Sequence, residues 1–178
     1  MPRSETVSQR RGPTLLSSCA RAATAEEARF RLHYPRASLT SRIVALDEGA
    51  GPIVCRLAEA EWSGEPRFLI YQGLDDPKAD GGSVDPQLKT CDGAQSRLMA
   101  EVEDADVVVM IATSDDAAEA AGLIGDACAT RGIMTTGLVV ADWGTLDATV
   151  ANLRPNAMVM LISRDQQDLR DVLTALRV

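Results

Sequence analysis

Two compact apolar runs stand out between Asp104 and Ala141. Val107-Val108-Val109-Met110-Ile111 is unbroken, and Ile133 to Val140 is interrupted only by Thr135-Thr136-Gly137. Runs without polar alternation are expected of strands covered on both faces. An Ala-rich stretch lies between them, ending at Arg131-Gly132. Two parallel strands need a crossover of this length, most often a helix. Ser114, Asp115 and Asp116 offer an N-cap and first-turn acids, and Gly132 offers a stop. The pattern predicts a βαβ unit.

Apolar runs and the breakers between them predict the remaining elements. Ser41 to Leu46 reads as a first strand, followed by the turn Asp47-Glu48-Gly49-Ala50-Gly51 and a helix over 52–62 opened by Pro52. Arg67 to Gln72 is a second strand, with apolar Phe68, Leu69 and Ile70. Residues 73–86 read as loop from their Gly, Asp and Pro content, and a helix is predicted over 92–103 from Leu98, Met99 and Val102. After the βαβ unit, residues 145–153 form a helix that must end before Pro155. Ala157 to Ser163 is a last strand, and Leu169, Val172, Leu173 and Leu176 give residues 165–177 one apolar helical face. The sum is an α/β fold: a doubly wound, Rossmann-like, three-layer domain with a parallel sheet of about five strands over 41–178. Residues 1–40 read as a separate Arg-rich extension, flexible or loosely docked, with one short helix near 24–32. Its acid-poor composition is shared by organellar targeting segments, but no apolar core of a secretory signal follows the charges.

Composition narrows the function classes. At 178 residues and 46% hydrophobic with 3% aromatic content, the core is aliphatic. Residues 1–42 hold eight Arg against three acids, while residues 43–178 hold ten Lys or Arg against twenty-three acids. So acidic a body argues against nucleic acid as a partner. No apolar run is long enough to span a membrane, and a cytoplasmic location is the expectation. The four cysteines, Cys19, Cys55, Cys91 and Cys128, lie 36 or 37 positions apart without a CxxC pair. That spacing is neither a metal signature nor a disulfide scaffold, and Cys55 and Cys128 read as small buried helix residues. His33 is the single histidine, which argues against histidine triads and multi-histidine metal sites.

In a doubly wound sheet, ligands sit beyond the carboxyl ends of the strands. Those ends are predicted at 47–51, 73–76, 112–116, 141–144 and 163–165. The turn Gly49-Ala50-Gly51 places backbone N–H groups at a helix start, where an anion can sit, although Asp47 and Glu48 oppose it. Thr113, Ser114 and Asp115 stand at the next strand end, where an N-cap role competes with ligand binding. Trp143 is an apolar group on the rim. Asp115 and Asp116 would hold a hard cation only if Asp47, Asp142 or Asp165 converge on them, so the metal is left unknown.

Four segments carry a family resemblance: Ile43-Val44-Ala45-Leu46 with Gly49-Ala50-Gly51, the second strand Phe68-Leu69-Ile70-Tyr71, Glu103-Asp104-Ala105-Asp106-Val107-Val108-Val109-Met110-Ile111-Ala112, and Arg131-Gly132-Ile133-Met134-Thr135-Thr136-Gly137-Leu138-Val139-Val140. In this order they resemble the nucleotide-binding half of the tubulin/FtsZ family over roughly 43–164. The resemblance implies a GTP or GDP site at Gly49, Ala50, Gly51, Thr113, Ser114, Asp115 and Trp143, with Mg²⁺ only if acidic strand ends converge. The family's GGGTGTG loop is replaced by Ala112-Thr113-Ser114-Asp115-Asp116, and its catalytic acidic loop has no counterpart. GTPase activity is therefore not expected, and the reading is a degenerate domain that binds a nucleotide, a protein partner or a second copy. Residues 106–140 also resemble a sugar-isomerase (SIS) domain, in which Thr113 and Ser114 would hold a phosphosugar. A non-catalytic accessory subunit is the third expectation.

Overall fold

The computed structural model describes residues 39–74, 85–140, 146–176 and 178, all within one compact unit, Ser38–Val178. The strands are β1 (Ser41–Ala45), β2 (Arg67–Gly73), β3 (Gln87–Thr90), β4 (Gln95–Arg97), β5 (Val107–Ala112), β6 (Met134–Val140) and β7 (Val159–Ser163). The helices are α1 (Ala50–Ala58), α2 (Leu98–Val102), α3 (Ala118–Arg131), α4 (Leu146–Leu153) and α5 (Gln166–Ala175). The strands form one sheet in the order β4-β3-β2-β1-β5-β6-β7. Strands β2, β1, β5, β6 and β7 run parallel, as the doubly wound reading requires.

The unbroken apolar runs lie at the centre. Every residue of β1 and of β5 is buried. Because successive strand residues point to opposite faces, Val108, Met110 and Ala112 pack with Leu98, Ile124 and Leu153 from α2, α3 and α4. Val107, Val109 and Ile111 pack on the other face with Val54 and Leu57 of α1 and Leu169 and Leu173 of α5. Two helical layers thus enclose the sheet.

The five parallel strands are those expected, and an antiparallel pair, β3 and β4, extends the sheet to seven among the described residues. Two other expectations are corrected. Residues 92–97, expected as the start of a helix, instead belong to a hairpin formed with β3 and β4 over 87–97, and helix is confined to Leu98–Val102. The apolar spacing of Leu98, Met99 and Val102 is real, but it does not extend back to Asp92. There Thr90 N–H bonds to Ala94 O at 2.9 Å, and Gly93 takes a φ of 98°, a conformation suited to glycine. The Asp92-Gly93 pair is the turn signal that decides this stretch. The second correction concerns the cysteines: Cys55 of α1 and Cys91 of the hairpin turn are joined in a disulfide, with Cα atoms 5.4 Å apart. Cys128 is free and buried, as expected.

Helix ends follow local chemistry. Gly132 closes α3 at φ 69°, and Ile133 N–H bonds back to Cys128 O at 3.0 Å. Helix α1 starts at Ala50 rather than Pro52. Pro52 still sits within the first turn, where its missing N–H costs nothing. Trp62 Nε1 donates to Leu57 O at 2.9 Å near the other end of that helix. Under α2, the buried Glu101 meets Arg42 of β1 and Arg67 of β2, each at 3.0 Å, and accepts from Ser96 of β4. The Arg42 contact is an ion pair without hydrogen-bond alignment.

Candidate functional site

From β1 the chain turns outward to β2 on one side, and later to β5 on the other. The topological switch point therefore lies between the carboxyl ends of β1 and β5, where ligands of doubly wound folds bind. Asp47 follows β1 there, and Thr113 and Ser114 follow β5. The helix α1 begins three residues after Asp47, and a short 3-10 turn, Asp115–Ala117, leads into α3. The general arrangement is that of an anion seat: backbone N–H groups at a helix start facing those of a strand end.

The seat holds a group of the chain's own. The Asp47 carboxylate accepts from Ala50 N–H at 2.8 Å, Thr113 N–H at 2.6 Å, the Thr113 hydroxyl at 2.6 Å and Ser114 N–H at 3.1 Å. Asp47 is buried, so these charge-assisted bonds take the place of water. Gly49 permits the approach, since a Cβ there would collide with the Thr113 hydroxyl.

The expected site residues divide accordingly. Gly49, Ala50, Thr113 and Ser114 come together, but around Asp47. Gly51 borders a neighbouring cleft. Asp115 turns away and accepts from Thr149 Oγ1 of α4 at 2.7 Å. Ser114, on extended backbone, makes no side-chain cap bond. Trp143 and Asp142 lie outside the described residues. Among the described residues no three His, Cys, Asp or Glu gather to hold a metal ion. In particular, Asp115 is engaged by Thr149 and Asp47 by backbone donors.

The cleft lies beside the seat, between α1 and the carboxyl ends of β1 and β2. It has a volume of about 640 Å³ and is lined by Asp47, Glu48, Gly51, Cys55, Ile70 and Tyr71 among others. Burial, with the charge of Glu119 second, pushes the Tyr71 phenol above its ordinary pKa. A carboxylate pair on one side of a largely apolar wall disfavours an anionic ligand.

Asp47 as the occupant, and Thr149 as the partner of Asp115, were not evident from sequence. The only available signal was the spacing of Asp47 three residues ahead of a helix start. Together the sheet, the switch point and the seat define a three-layer, doubly wound α/β domain whose anion position is filled internally. Comparison with protein-family models, with curated proteins and with solved structures finds no match for this chain.

Proposed function

We propose that this is a non-catalytic binding domain built on a nucleotide-type frame, resembling the tubulin/FtsZ half-domain, with its phosphate position closed by its own carboxylate. One observation carries the reading: Asp47 takes the N–H groups of Ala50, Thr113 and Ser114 that a phosphate would need. A phosphate arriving there would meet occupied donors and a like charge in a buried place. Its role is then to bind a partner rather than to turn over a nucleotide.

Calorimetric titration of the full chain with GTP, GDP and a sugar phosphate, each with magnesium, tests this. The expected result is no heat with any of them, together with measurable affinity for inorganic phosphate in Asp47→Ser, where the donors are released. Heat from a guanine nucleotide on the unaltered chain would instead favour a working nucleotide site. Heat from the sugar phosphate alone would favour the sugar-isomerase reading.

A further inference from the structure

The two edges of the sheet are unlike. At one, β4 is three residues long and polar, Gln95-Ser96-Arg97. Short, charged edges discourage pairing with another chain. At the other, β7 is Val159-Met160-Leu161-Ile162-Ser163, with no charge, proline or glycine. Among the described residues the exposed large hydrophobics are Leu74 and four at this edge: Met158 at 76%, Ile162 at 53%, Val159 at 41% and Leu161 at 36%. β7 pairs with β6 alone among the described strands. An edge so apolar, and paired on one side only among the described strands, is suited to pairing.

We infer that β7 pairs antiparallel with β7 of a second copy, joining two sheets into one across a two-fold axis at Leu161. Met158 N–H bonds to Thr135 O of the β6 side. Backbone direction alternates along a strand, so Val159, Leu161 and Ser163 present their N–H and C=O groups to the open edge. These three are symmetric about Leu161. In the antiparallel arrangement Leu161 faces its own mate, and Val159 faces Ser163 on either side, so each outward group finds a partner.

Charge fits the same operator. Arg164 falls opposite Met158 of the other copy, so no like charges oppose each other along the ladder. The α5 helices then lie antiparallel on one face of the joined sheet. Their exposed residues Asp168, Arg170 and Asp171 carry both signs, so no face of a single charge is set against its copy. The four apolar side chains supply on the order of a few hundred Å² per copy, the size of functional patches. A stable interface buries about 800 Å² per partner, so this edge with its ladder backbone makes a small interface whose association depends on concentration. The interface lies two strands beyond β5, apart from the Asp47 seat, and is independent of the binding role proposed above.

Sedimentation or light scattering of the full chain, over a roughly hundredfold range of concentration, reads the mass directly. The expected result is a species of twice the 19.0 kDa chain mass. Its Val159, Leu161 and Ser163 amides exchange slowly as dimer and faster on dilution. Ile162→Lys and Met158→Lys change exposed positions and should keep the native circular dichroism while weakening association at least about tenfold. A monomer at all concentrations overturns the inference. If those amides are protected in the monomer, the chain's own residues 1–38 cover the edge; if unprotected, the edge is open. Mass growing beyond a dimer, or an unchanged dimer in both lysine variants, also overturns it.

Discussion

Asp47 and Thr113 stand 66 positions apart in the chain, yet the carboxylate of one accepts both the backbone N–H and the hydroxyl of the other at 2.6 Å. This pair ties the end of β1 to the end of β5 at the one place where the sheet changes direction. It makes the switch point a structural joint.

Replacing Asp47 by Asn keeps the shape but removes the charge and turns one acceptor into a donor. We expect a loss of about 3 kcal/mol in urea-unfolding stability, because donors at a buried site lose an ionised acceptor. An unchanged denaturation midpoint would mean that the joint carries no stability.

Gly49→Ala drives a methyl group into the Thr113 hydroxyl. Overpacking of this kind costs about 1–3 kcal/mol. In a double-mutant cycle with Thr113→Ala the two changes should couple, since the second removes the atom that the first strikes. Simple additivity would place the clash elsewhere.

The Cys55–Cys91 bridge closes 36 positions of chain and ties α1 to the β3–β4 turn. Loop-closure entropy gives a bridge of this length about 3–4 kcal/mol. Dithiothreitol should lower the unfolding temperature of the native chain and leave that of the Cys55→Ser/Cys91→Ser variant unmoved. Cys91 is exposed and Cys55 half-buried, so the reductant can reach the bridge without unfolding.

Burial pushes the Cys128 thiol from 9.0 up to about 11, against a smaller opposing effect of Arg131. The unfolded chain then ionises this thiol at a lower pH than the folded chain. The contribution is fully present below pH 9 and is lost as pH rises towards and through about 11. Stability measured across that window should fall less steeply in Cys128→Ala. An identical slope would show that other groups govern the alkaline limb.

Much of the frame was legible residue by residue. Val107 to Ile111 could only be a strand buried on both faces, because no polar position relieves either side. Gly132 marked the end of α3 because few other residues adopt its left-handed backbone. The hairpin at 87–97 was missed for a physical reason. Leu98, Met99 and Val102 signal a helix face, and periodicity alone does not say where such a face begins. The Asp92-Gly93 turn ends it. Cys55 and Cys91 gave no warning of their bond, since spacing along a chain says nothing of distance across a fold.

The candidate site divides the same way. Gly49, Ala50, Thr113 and Ser114 could be placed at strand ends from the alternation of apolar runs, since that pattern dictates which residues leave the sheet. What fills the space between them depends on which side chain reaches inward across two strand ends far apart in sequence. Local pattern carries no information on that direction. Hydrophobic periodicity determined the layers of this protein. Only the packing of β1 against β5 decided that Asp47, rather than an outside anion, receives their N–H groups, because hydrogen bonds depend on distance and angle in space.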